Sequence, residues 1–137
     1  MQDKVFIFSK EEFMILAAVS RIRQMYGFSL REDIEEQEVV LTMQKLTEKG
    51  LLFSDGGKFQ LPEMIENMFL QIKNVKTTID VHKRSGRKCI IYIGDCGVKV
   101  SVSRNRDEML EIQCIPIDEI WRCLTEEGWI PESKEKI

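Results

Sequence analysis

The chain has 137 residues, 43% of them hydrophobic and 31% charged, with a formal net charge of −3. A domain of this length buries about two-thirds of the surface its unfolded chain exposes, which supports a core without metal or disulfide staples. The 8 glycines and 3 prolines exclude a collagen-like or linker-like chain, and the acidic balance leaves no overall basic surface of the kind that nucleic-acid binding uses.

Residues 1–10 contain Asp3 and no long apolar stretch ahead of a small-residue cleavage site, so a secretory signal is not expected. Val5, Phe6, Ile7 and Phe8 read as a short strand or an anchoring arm. Ser9 with Glu12 three residues later is a capping box, which starts a helix at about Lys10. Residues 13–19 are apolar on nearly every side and predict that the first half of the helix is buried all round. The run is far short of the roughly 20 residues of a bilayer span, so no membrane insertion is expected. The helix turns polar at Ser20, Arg21, Arg23 and Gln24, and Gly27 should close it.

Ser29 and Glu32 offer a second capping box, and a second helix runs from there or from about Asp33 to Lys49. Val39, Met43 and Leu46 mark its apolar stripe, and Gly50 stands where a left-handed C-terminal residue belongs. Leu51, Leu52 and Phe53 predict a strand, residues 54–57 a turn, and Phe59, Gln60 and Leu61 the returning strand. Pro62 suits the first turn of a third helix, whose face is Ile65, Met68, Phe69 and Ile72.

The period then changes from 3.6 to 2. Val75, Thr77, Ile79 and Val81 alternate with polar residues, and Ser85-Gly86 turns the chain. Residues 89–93 are apolar throughout, as in a strand buried on both faces. Ile91 at its centre is where an acid should unfold the domain. After a turn at 95–97, Val98, Val100 and Val102 alternate with Lys99, Ser101 and Ser103, which places the latter on a polar face. A turn at 105–107 leads to Leu110, Ile112 and Cys114. Short connections between these four runs predict an antiparallel meander. Ile117, Ile120, Trp121 and Leu124 face a last helix stopped by Gly128, and Trp129 and Ile130 fold back on its end. The fold class is α+β, with residues 1–131 a single domain and 132–137 a charged tail.

Four cysteines, Cys89, Cys96, Cys114 and Cys123, show no Cys-x-x-Cys pair, and there is one histidine, so no metal site is expected. Buried, reduced thiols are the expectation, with an inter-strand disulfide as the alternative. His82 shares a strand face with Asp80, but a histidine on the polar face of an edge strand is usually solvated, and no nucleophile elbow, dinucleotide fingerprint or P-loop accompanies it. The chain therefore reads as non-enzymatic, with no cofactor. Lys83, Arg84, Arg87 and Lys88 cluster on one hairpin tip. They are the candidate partner-binding residues, set against the plain reading of a charged turn that blunts edge pairing.

The words Leu46-Thr47-Glu48-Lys49-Gly50-Leu51-Leu52 and the glycine-rich turn after them resemble a winged-helix module. Such modules often lay the helix before the wing in the DNA major groove. Here that approach carries Glu32, Asp33, Glu35, Glu36 and Glu38 against Lys45 and Lys49, so sequence-specific DNA binding is not expected. Residues 46–51, Asp55-Gly56-Gly57, Pro62-Glu63 and the pattern Gly94-Asp95-x-Gly97-Val98 resemble the EspG-like family associated with ESX (type VII) secretion. The resemblance implies a cytoplasmic, non-enzymatic chaperone that holds a helical protein partner, a type VII secretion substrate, before export. Family members contain two related halves and this chain is long enough for one. With no counterpart half, and with residues 109–115 reading as a poorly protected sheet edge, a symmetric homodimer is expected, against the reading that a helical partner or the arm at Val5–Phe8 covers that edge and leaves a monomer. The alternative function is a winged-helix regulator with a C-terminal sensing or dimerising sheet.

Overall fold

The computed structural model describes residues 5–28, 34–83, 86–102 and 109–130. Strand β1 (Val5–Ser9) passes directly into helix α1 (Lys10–Val19). Ser9 makes the junction. Its hydroxyl accepts from the Glu12 amide at 3.0 Å, and Glu12 Oε1 accepts from the Ser9 amide at 2.9 Å. The second carboxylate oxygen of Glu12 accepts from Lys49 Nζ at 2.6 Å. A carboxylate that is only 4% exposed is thus satisfied by a backbone donor and an ammonium, and it ties the start of α1 to the end of the next helix.

Helix α1 stops at Val19, well before Gln24. Arg21 has φ 65°, its amide donates to Ala18 O at 2.9 Å, and the Ile22 amide donates to Ala17 O at 2.9 Å. This is a Schellman stop with an arginine where glycine is usual. The strained turn brings Ile22 and Met25 into the core, and that burial outweighs the helical preference of the polar residues around them. Gly27 is therefore not a helix stop. It lies over the sheet with φ 84°, and a Cβ there would stand 1.8 Å from Ile90 Cδ1. Residues 25–28 are fastened to that place: Tyr26 Oη donates to Asp80 Oδ2 at 2.9 Å, Tyr92 Oη donates to Tyr26 O, and Lys88 Nζ donates to Gly27 O. Gly27→Ala is expected to cost about 2–3 kcal/mol, from the clash and the positive φ together, and a thermal melt of the variant checks it.

Helix α2 (Glu36–Glu48) begins at Glu35 with no side-chain cap, and the capping box at 29–32 lies outside the described residues. Gly50 closes it as expected, with φ 76° and with the Leu51 amide donating to Leu46 O at 2.9 Å. The hairpin strand β2 (Phe53–Asp55) starts two residues later than expected and β3 (Lys58–Gln60) ends one residue sooner, with Leu52 and Leu61 both in the core. Pro62 precedes α3 (Glu63–Lys73), which buries Ile65, Met68, Phe69 and Ile72 as its period requires.

Strands β4 (Thr77–His82), β5 (Lys88–Ile93), β6 (Gly97–Val102) and β7 (Met109–Ile115) form the expected antiparallel run. The sheet has five strands rather than four, in the order β1-β7-β6-β5-β4. β1 pairs with β7 from Val5 opposite Gln113 to Ser9 opposite Met109. β7 is thus an interior strand, with Gln113 paired to Val5 on one side and Lys99 on the other. The open β7 edge that motivated a homodimer does not exist. The N-terminal segment satisfies those backbone groups within the chain.

Both faces of the sheet are covered. Ile90, Tyr92, Val98, Val100, Leu110 and Ile112 meet the buried residues of α1, α2 and α3. On the other face Cys89, Ile91 and Ile115 meet Ile120, Leu124 and Trp129 of helix α4 (Ile120–Glu126) and the turn behind it. The second layer overturns the polar-face reading of β6: Lys99 is 3% exposed and Ser101 is 2% exposed. Cys114 departs the other way. It is exposed. Pro116 and a single 3-10 turn (Ile117–Glu119) lead into α4, and Gly128, with φ 78°, folds Trp129 back as expected.

Candidate functional site

The basic hairpin tip packs inward. Lys83 Nζ lies 4.7 Å and the Arg87 guanidinium 5.2 Å from the centre of the Trp129 ring. Arg87 Nη2 also donates to Val102 O at 2.6 Å. Lys88 Nζ stands 4.6 Å over Phe28. These three cations are half-buried and hold α4's end and the 25–28 turn onto the sheet, each through cation–π contact as well as packing of the side-chain stem. Arg84, the fourth residue of the cluster, lies outside the described residues.

His82 Nε2 is 2.7 Å from Asp80 Oδ1, so the two residues meet as their spacing on one strand face implies. Asp80 also accepts from Tyr26, whose phenol is held above its ordinary range by that hydrogen bond and by the carboxylate's charge. The cluster sits on the outer strand β4 with the His82 side chain 62% exposed, which is the solvated arrangement. Among the described residues no group of three or more His, Cys, Asp or Glu side chains is placed to hold a metal ion.

A buried polar network that alternation in β6 hides lies under α4. Lys99 Nζ pairs with Glu127, which also accepts from Trp129 Nε1 at 3.3 Å and from Cys123 Sγ at 3.4 Å. Burial pushes the Glu127 carboxyl up, but the Lys99 hydrogen bond and charge, with the donors from Cys123 and Trp129, prevail and leave it below the ordinary value. Burial pushes the Cys89 thiol up to about 12 and the Cys123 thiol up to about 11, against the pull of Lys99. Thiols in that state are poor nucleophiles. The network orients α4 on the sheet. Its one sequence signal is the apolar stripe of α4, which must cover a face that the β6 alternation reads as polar.

A hollow of about 460 Å³ opens between the end of α1, strand β3 and α3. Val19, Ser20 and Arg21 form one wall, Phe59, Gln60 and Leu61 another, and Glu66 and Leu70 the third. Phe59 is 51% exposed and Leu70 is 39% exposed. The Schellman stop builds this wall, since the left-handed Arg21 turns the backbone at the groove's edge. Ser20 Oγ is shielded from solvent there and has no hydrogen-bond partner. The groove escaped the sequence reading because its walls come from three separate segments. A scan against models of known protein families finds no match to this chain, and a search of curated proteins finds none either.

Proposed function

We propose that the chain is a cytosolic, non-enzymatic adaptor that holds a helical segment of a partner protein in the groove between α1, β3 and α3. The observation that carries the reading is the exposure of Phe59 and Leu70 on separate walls of one hollow, rimmed by Arg21 and Glu66. Exposed apolar side chains set among charged ones are the make-up of a protein contact, and an amphipathic helix presents apolar and polar side chains at the spacing such a groove takes. The EspG-like resemblance supplies the class of occupant, a small helical type VII secretion substrate.

The DNA-binding alternative is less favoured by the surface of α2. Its open side carries Glu36 and Glu38 beside Val40 and Leu41, which are 49% and 57% exposed. Carboxylates repel phosphates, and aliphatic side chains have no role at a phosphate backbone. Co-expression with small helical proteins encoded beside it, followed by size-exclusion chromatography, tests the proposal. A complex is expected with the wild-type chain, weakened at least about ten-fold by Phe59→Asp, since a central aromatic anchor is worth 1–2 kcal/mol or more. Failure of every such protein to co-elute, together with a specific, salt-sensitive DNA complex in mobility shifts, reverses the reading in favour of the regulator.

A further inference from the structure

We propose that Cys96 and Cys114 form a disulfide when the protein meets a peroxide, so that the end of β7 is a site of reversible covalent modification. The two sulfurs are 3.0 Å apart although the residues are 18 apart in sequence. Both are held in place before any bond forms. Gln71 Oε1 on α3 accepts from the amides of Asp95 at 3.0 Å and Cys96 at 3.4 Å, which sets the β5–β6 turn. The ladder sets the other partner, with Cys114 opposite Val98. Cys96 lies just before β6, so the two thiols stand diagonally across one face of the β6–β7 pair. Diagonal neighbours on a sheet face are within reach of each other's side chains, and the bond closes when the sulfurs come from 3.0 Å to about 2.05 Å.

Exposure orders the chemistry. Cys114 is exposed and Cys96 half-buried, so the peroxide reaches Cys114 first. The Cys114 thiolate attacks one peroxide oxygen, the O–O bond breaks, and the products are a sulfenic acid and hydroxide, which leaves as water. Cys96 sulfur then attacks the Cys114 sulfur. The S–O bond breaks, and the departing hydroxide takes the Cys96 proton and leaves as a second water. Two thiols are oxidised by two electrons, and one peroxide is reduced to two waters. Burial pushes the Cys96 thiol up to about 12, with further help from its hydrogen bond to Cys114 and from the nearby charges, so it is a weak nucleophile towards dissolved oxidants. It is suited to the second step, where contact with the sulfenic sulfur replaces diffusion. Cys89 is buried, and Cys123 on α4 donates to Glu127, while Cys96 and Cys114 already stand in contact.

Intact mass of the purified full chain, before and after treatment with hydrogen peroxide, is the test. A loss of about 2 Da is expected, reversed by dithiothreitol, with peptide mapping locating the link at Cys96–Cys114. The cross-link restrains the unfolded chain, so the oxidised form is expected to melt several degrees higher than the reduced form. Cys96→Ser should abolish the mass loss and leave a dimedone-reactive sulfenic acid on Cys114. Sulfinic or sulfonic acid on Cys114 without a bridge in the wild-type chain, a bridge to Cys89 or Cys123, a disulfide between two molecules, or no oxidation at all overturns the proposal.

Discussion

Ile90→Asp is expected to abolish cooperative folding, with Ile91→Asp the milder of the two. Both isoleucines are fully buried on the central strand β5, but they face opposite layers. Ile90 lies among the residues of α1, α2 and α3, opposite Val100 on one side and Asp80 on the other. A carboxylate there meets no cation across either strand and stands beside a second carboxylate. Desolvation without a partner costs several kcal/mol, the loss of isoleucine packing adds about 2–4, and the sum approaches the whole stability of a small domain. At 91 the position across the ladder is Lys99, so an aspartate would share the ammonium that Glu127 already holds. Partial pairing offsets part of the desolvation, so the adjacent residue tolerates an acid better by about 1–2 kcal/mol. Circular dichroism melts of both variants check this. A cooperative Ile90→Asp transition at the wild-type midpoint would show that β5 is not central to the fold.

Glu127→Ala carries the other large effect. It leaves the Lys99 ammonium, which is 4% exposed, without its anion. The cost should be about 3 kcal/mol, read from the denaturation midpoint. Lys99→Met in the same chain should restore most of it, because removing both charges removes the desolvation penalty as well as the attraction. The pH dependence has a definite sign. Glu127 is held below the ordinary carboxyl value in the folded state, so its contribution is fully present above the unfolded carboxyl pKa and is lost as pH falls through the folded one. Wild-type stability therefore declines on acidification below roughly pH 4, and the doubly substituted chain should decline less steeply over that window. A Glu127→Ala variant as stable as wild type would mean that Lys99 reaches solvent by another path.

Local chemistry, which a chain carries wherever it goes, set the starts and stops. Ser9 with Glu12, and Gly50 and Gly128 at φ near 80°, are punctuation that depends on neighbours a few residues away, so their places could be read directly. The apolar run of β5 likewise announced burial on both faces, because continuous hydrophobicity leaves no side for water. Tertiary structure decided what depended on distant partners. Arg21 took the left-handed turn that a glycine would ordinarily mark, because ending α1 there buries Ile22 and Met25. Lys99 read as a surface residue from its alternation with valines, and α4, arriving from the far end of the chain, buried it against Glu127. β1 became the fifth strand by taking the edge of β7, more than 100 residues away, a pairing that no local pattern encodes. The groove and the Cys96–Cys114 contact have the same origin. Each joins segments that are remote in sequence, and hydrophobic burial, which has no direction of its own, brings them together only when the whole core closes.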